Sequence, residues 1–252
     1  MNVGVVWEAS RECHGGGFHR WWRNLERRRA HPCYGQHERW CVSTDPEFGT
    51  KAADVVGFYL NPPLNAIVLS VDEKPSIQAI ERSTGYIETD SGAVVRALKS
   101  TYKRHGTLNL FAALDVASGQ VYGKTTEQKK REDFRQFLDG VLAELPRDQE
   151  IHVILDNYCT HKRNQDWLAK YGGRVQFHFT PTSASWLNQV EIFFSIFERR
   201  TLRGASFKSK DQLRAAIQAY LARHNQNPRP FRWRKREVRG GQLRNTIVNL
   251  CN

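Results

Sequence analysis

The chain has 252 residues, 40% hydrophobic and 25% charged, with a net charge of +12. That balance fits a globular protein with one large core, or a core plus a small appendage, and excludes disordered and collagen-like classes. No apolar run is long enough for a membrane span, no signal-peptide pattern opens the chain, and five scattered cysteines exclude a disulfide scaffold, so a cytoplasmic protein with no membrane partner is expected.

Residues 1–40 are dense in Trp, Arg, Cys, His and Gly and show no helical or strand period. Cys13, His19, Cys33, His37 and Cys41 do not follow the paired-knuckle spacing of a zinc site. This is an atypical N-terminal segment, out of frame or disordered. Regular patterning begins near Ser43. "STDPEF" offers helix caps, apolar positions run from Phe48 to Leu60, and "NPP" at 61–63 stops the helix.

"AIVLSVD" (66–72) reads as a buried strand ending on Asp72. "TLNLFAALDVASGQVYGKTTE" (107–127) reads as two strands joined by a turn at Ala117–Gly119. "REDFRQFLDGVLAEL" (131–145) has helical spacing, and "IHVILD" (151–156) is a strand. A short helix, "KRNQDWLAKYG", is ended by Gly172 and Gly173, and "RVQFHFTP" is a strand stopped by Pro181. Two helices follow: "SWLNQVEIFFSIFERRTL" behind Ser185, and "SKDQLRAAIQAYLARHN" behind Ser209. A hairpin followed by alternating helices and strands gives an α/β fold, a mixed sheet flanked by helices of the ribonuclease-H-like kind.

Three acids hold similar addresses. Asp72 ends the first strand, Asp156 ends "IHVILD", and Glu191 lies about two turns into a helix. Adjacent strand ends and a crossing helix can gather them. Three carboxylates crowded on an apolar sheet repel one another, and a divalent cation with hard oxygen ligands, Mg²⁺ or Mn²⁺, removes the conflict. Two such ions can activate a nucleophile and stabilise a leaving oxygen on phosphorus. Each acid singly could be a cap or an ion-pair partner. Glu73, Asp115 and Asp90 compete for a place. Strand alternation turns Glu73 to the face opposite Asp72, and Asp115 begins a turn where aspartate is common. Trp186, Phe193, Phe194 and Phe197 are expected in the core rather than stacked on bases.

From Ile196 onward there are 14 Lys/Arg against 3 Asp/Glu, whereas residues 1–195 carry 24 against 23. A localised basic surface is the footprint of a polyanion, here nucleic acid.

"VLSVDEKPSIQAIER", "YKRHGTLNLFAALDVASGQV", "ILDNYCTHK" and "HFTPTSASWLNQVEIFFSIFERR", with thirty-four residues between Asp156 and Glu191, resemble the DDE transposases of the mariner superfamily. The nearest branch is the bacterial insertion-sequence family numbered six-thirty. The resemblance covers roughly residues 41–233. It implies Asp72, Asp156 and Glu191 as catalytic and metal-binding residues, with two Mg²⁺ or Mn²⁺ ions as cofactors. Hydrolysis frees a 3′-hydroxyl at each transposon end, and that hydroxyl attacks target DNA, typically at TA. The implied partner is DNA rather than a small-molecule substrate. A homodimer is compatible with it, and the place of action is the bacterial cytoplasm, at the nucleoid when on DNA.

Asn157 and His161 match the motif after the second acid and can orient Asp156 or touch DNA. Asn188 lies one helical turn before Glu191. Lys74, Lys103, Arg104 and His105 are further contact candidates. Arg232, Arg234, Lys235 and Arg236 in the basic tail, residues 229–252, are candidates for the DNA backbone. The family usually carries an N-terminal helix-turn-helix region near a hundred residues long. Only about forty residues precede the match here, so the expected domain is 41–228 with a lead-in helix from 43, truncated at its N-terminus. The rival reading is a catalytically silent DNA-binding remnant that interferes with a full-length transposase. A third is a junction resolvase on the same fold, against which the long "TPTSASWLNQVE" match argues.

Overall fold

The structure, a computed structural model, describes residues 5–7, 43–88, 94–157, 161 and 164–235. The chain divides into two units. In one, strands β1 (Val5–Trp7) and β7 (Trp233–Lys235) pair antiparallel. The five Cys and His residues weighed above for zinc lie outside the described residues. The other unit, Ser43–Phe231, contains everything that follows.

Its centre is a five-stranded sheet in the order β4–β3–β2–β5–β6. The strands are β2 (Ala66–Glu88), β3 (Val94–Asp115), β4 (Val121–Thr126), β5 (Glu150–Leu155) and β6 (Val175–Phe179). β2 pairs antiparallel with β3 and parallel with β5, and β5 pairs parallel with β6. The mixed sheet expected from the sequence is present.

Two apolar layers cover the sheet. Leu108, Leu110, Ala112 and Leu114 of β3 face α4 (Val190–Phe197) and α5 (Lys210–Gln226), meeting Phe193, Phe197, Ile217 and Tyr220. On the other face Leu69, Val71, Phe111, Val153 and Leu155 meet α2 (Arg131–Glu144) and Trp167 of α3 (Gln165–Leu168). Alternation along β3 decides which layer each side chain joins. A Cβ on Gly123 would lie 2.6 Å from Leu221 Cδ1, so a side chain there would force Leu221 of α5 to move aside.

The lead-in helix α1 (Phe48–Leu60) stops before Pro62 as expected, and the Ser209 hydroxyl caps α5 by accepting from Gln212 N at 3.1 Å. The helix expected over 185–202 is broken into three pieces: a 3-10 turn Ser185–Leu187, α4, and a π-helical turn Glu198–Leu202. The strands expected over 66–72 and from 107 run far longer, pairing out to Glu88 and Val94. Register shifts at Lys74/Ile77, Gln78/Ile80 and Arg82/Thr84 hide that length, because each bulge breaks the two-residue alternation. Pro75 sits at the first of them, and Ser76 takes φ +54 with its N–H bonded to Asn109 Oδ1 at 2.9 Å.

Candidate active site

β2 and β5 run side by side, with Ser70 opposite Ile154 as their last registered pair. Asp72 and Asp156 each follow two residues later. Both therefore emerge level, just past the point where the parallel pairing of β2 with β5 ends. Glu191 arrives from the first turn of α4.

Four hydrogen bonds tie the start of that helix to β2. The Ser70 hydroxyl donates to Asn188 Oδ1 and accepts from Val190 N at 2.8 Å. Asn188 Nδ2 donates to Val71 O at 2.9 Å and to Asp72 Oδ2 at 3.3 Å. Tyr59 of α1 adds a brace by donating to Leu187 O at 3.0 Å. Burial raises the Tyr59 hydroxyl pKa, which keeps it a donor.

Asp72 is buried, while Asp156 and Glu191 are half-buried. Burial pushes the Asp72 carboxyl well above the usual carboxylate range, the Asp156 and Glu191 charges add to the rise, and His161 opposes it. Glu191 is also raised, first by burial. Lys74 and a hydrogen bond shared with Asp72 work against that rise, and Asp156 and Glu73 add to it. Carboxylates that resist ionising together are the conflict a divalent cation resolves.

A second layer was only half visible in the sequence. His161 is fully buried, with Nδ1 2.7 Å from Asp156 Oδ1 and Nε2 3.1 Å from Glu73 Oε2. Its ring packs on Phe134, centroids 4.6 Å apart, and Asn164 Nδ2 donates to its carbonyl at 2.9 Å. Burial alone would lower the His161 pKa, but the bonds to Asp156 and Glu73 outweigh it and raise it to about 9. Glu73 does leave β2 on the face opposite Asp72, alongside Val71 and Leu69. Its buried carboxylate nevertheless joins the site through His161, whose other ring nitrogen meets Asp156. Two consecutive acids at the end of an apolar strand were the signal for it.

Asp72, Glu73 and His161 each offer a ligand atom, all within 4.8 Å of one another. Both His161 nitrogens are engaged by Asp156 and Glu73, so the donors here that fit Mg²⁺ or Mn²⁺ are the carboxylate oxygens gathered with Asp156 and Glu191. Asp115 only organises its own turn, accepting from Ala117 N at 2.9 Å and from the Ser118 hydroxyl at 2.7 Å. Asp90 lies outside the described residues.

Among the remaining candidates, Lys74 sits by Glu191 and pairs with Glu198 Oε2 at 2.8 Å. Asn157 donates to Thr180 O, tying the end of β5 to the end of β6. Lys103, Arg104 and His105 are not gathered with the acids. Arg104 lies opposite Ile80, eight residues and about 26 Å of strand beyond Asp72, and His105 is paired with Glu81 at 2.7 Å. Arg232 is exposed; Arg234 and Lys235 fall in β7, whose backbone alone is described, and Arg236 lies outside the described residues. Phe193, Phe194 and Phe197 are core as expected, but Trp186 is 53% exposed, which overturns its expected core place. The 3-10 turn carrying it buries Leu187 and leaves Ser185 and Trp186 outside.

A family model described as DDE superfamily endonuclease matches residues 68–214, more than half of the chain. Comparison with curated proteins finds no match. Among solved structures, the chain resembles the mariner Mos1 paired-end complex with Mg at 14% identity, covering 85% of this chain and 66% of that one, with a TM-score of 0.53. The Mos1 mariner paired-end complex with Mn is similar at 15% identity, 80% and 63% coverage and a TM-score of 0.52. The Mos1 strand transfer complex gives 15%, 80%, 62% and 0.51. The chain thus spans less than two thirds of the length of these last two. At such identity the likeness is one of fold, and the fold is ribonuclease-H-like. With the match over residues 68–214 spanning β2 to the first residues of α5, the chain belongs to the DDE superfamily endonucleases.

Proposed function

We propose that the unit Ser43–Phe231 is the catalytic domain of a transposase, cutting and joining DNA strands for an insertion sequence of the mariner superfamily. Asp72, Asp156 and Glu191 hold two Mg²⁺ or Mn²⁺ ions. The observation that carries this reading is the strand register that sets Asp72 level with Asp156, with Glu191 hydrogen-bonded to Asp72.

Bound there, the metal supplies a polarised phosphate and an activated oxygen nucleophile. The chain's own residues divide the remaining work. Asn188 and Ser70 fix Glu191 against Asp72. His161, held by Glu73, fixes one oxygen of Asp156. Lys74 places positive charge beside Glu191, where a phosphate would sit. The partners are transposon ends and a TA-containing target, with two copies of the chain acting together at the bacterial nucleoid.

The test is nicking of supercoiled plasmid by purified protein in Mn²⁺. Cutting should stop with chelator and fall roughly a hundredfold or more in Asp156→Ala. A folded protein that binds DNA and leaves the plasmid intact would favour the silent DNA-binding reading instead.

A further inference from the structure

One feature beside the acids has no part in the metal chemistry. Trp186 stands 53% exposed between Ala184 and Leu187, which are 0% and 2% exposed. The core is within reach on both sides, yet the largest apolar side chain of the turn is left in water. The segment is also anchored at both ends. Ser43 donates to Thr182 O, Asp45 Oδ2 accepts from Thr182 N at 3.0 Å, and Tyr59 holds Leu187 O. Ser183 holds φ +60, a left-handed conformation that costs a non-glycine residue free energy and is found preferentially at functional sites.

Position suggests what the indole meets. Asn188, two residues on, touches Asp72. Two residues of chain reach at most about 7 Å. A strand whose phosphate lies at the acids therefore passes Trp186 within about one to three nucleotides. The exposed neighbours Thr182, Ser183 and Ser185 carry no charge. A rigid, uncharged indole suits the flat face of a base better than a phosphate.

We propose that Trp186 is a stacking platform for an unpaired nucleobase of the DNA strand adjoining the phosphate to be cut. This rests on the DNA-cleaving reading above. The experiment uses a duplex with a short unpaired end carrying 2-aminopurine, bound in Ca²⁺ and read by fluorescence and by titration. The full chain should quench the fluorophore. Trp186→Ala should release the quench and weaken binding roughly 5- to 100-fold, the range of base–aromatic stacking. Trp186→Phe should keep most of both. Trp186→Leu stays apolar but has no π face, so it should fail as alanine does, with an unchanged melting temperature. Quenching that survives in DNA-bound Trp186→Ala or Trp186→Leu overturns the platform. Binding and Trp186-dependent quenching without Mn²⁺-dependent nicking would leave the platform standing and remove the cleavage reading. A chain that binds no DNA overturns both.

Discussion

Asn188 carries no charge, yet it joins Ser70, Val71 and Asp72 to the helix of Glu191. Asn188→Ala would strand the Ser70 hydroxyl and the Val71 carbonyl in a buried place. We expect a loss of about 1–3 kcal/mol and a melting temperature lower by about 2–10 °C, measured by calorimetry without metal. Asn188→Asp should be worse, because it sets another acid against Asp72. At this scale the sequence was readable where a residue's role follows from its address. Asp72 and Asp156 end apolar runs, and Asn188 precedes Glu191 by one turn. Glu73 was read onto the correct face and still missed, because alternation says nothing of a histidine that arrives from another segment. Trp186 was misread because an aromatic shortly before an apolar helix looks like core until the turn around it is known.

The lead-in helix depends on one carboxylate. Asp45 accepts from Thr182 N at 3.0 Å, from Glu47 N at 3.0 Å and from Lys51 Nζ. The Thr182 bond first, then Lys51 and the Glu47 bond, hold its pKa at about 2 against an ordinary 3.8. A pKa lowered on folding contributes stability above the unfolded value and loses it as pH falls through the folded one. The wild type should therefore lose stability between pH 4 and pH 2 more steeply than Asp45→Asn, as urea midpoints across that range would show. A flat comparison would mean α1 is held without this bond. The elements themselves were largely legible. α1, α2 and α5 came from their period and stop signals, and the ends of β2 and β3 were lost where Pro75 and three bulges break the pattern.

At the scale of the molecule, a site made of carboxylates that resist joint ionisation should be stabilised by the ion that relieves them. Mn²⁺ at a hundred times its dissociation constant should add about 2.7 kcal/mol to unfolding. Asp72→Ala should melt at the same temperature with and without the ion. Scanning fluorimetry across a Mn²⁺ titration would show it, and an equal response in both proteins would place the ion elsewhere. The architecture was legible because each strand and helix of the body announced itself in order. The clustering of basic residues after Ile196 pointed to a polyanion, although charge counts say nothing of which surface meets it.

The bolt between Ser70, Asn188 and α4 also orders events in time. Chains are made from the N-terminus, and a ribosome delivers β2 and β5 well before α4. A half-made chain can thus hold Asp72 and Asp156 level while Glu191 is still to come. The third acid takes its place only when α4 docks, and Phe193 and Phe197 of that helix pack on Tyr220 of α5, which is made later still. The cluster of Asp72, Asp156 and Glu191 is therefore completed late in synthesis, and the finished fold is what brings it together.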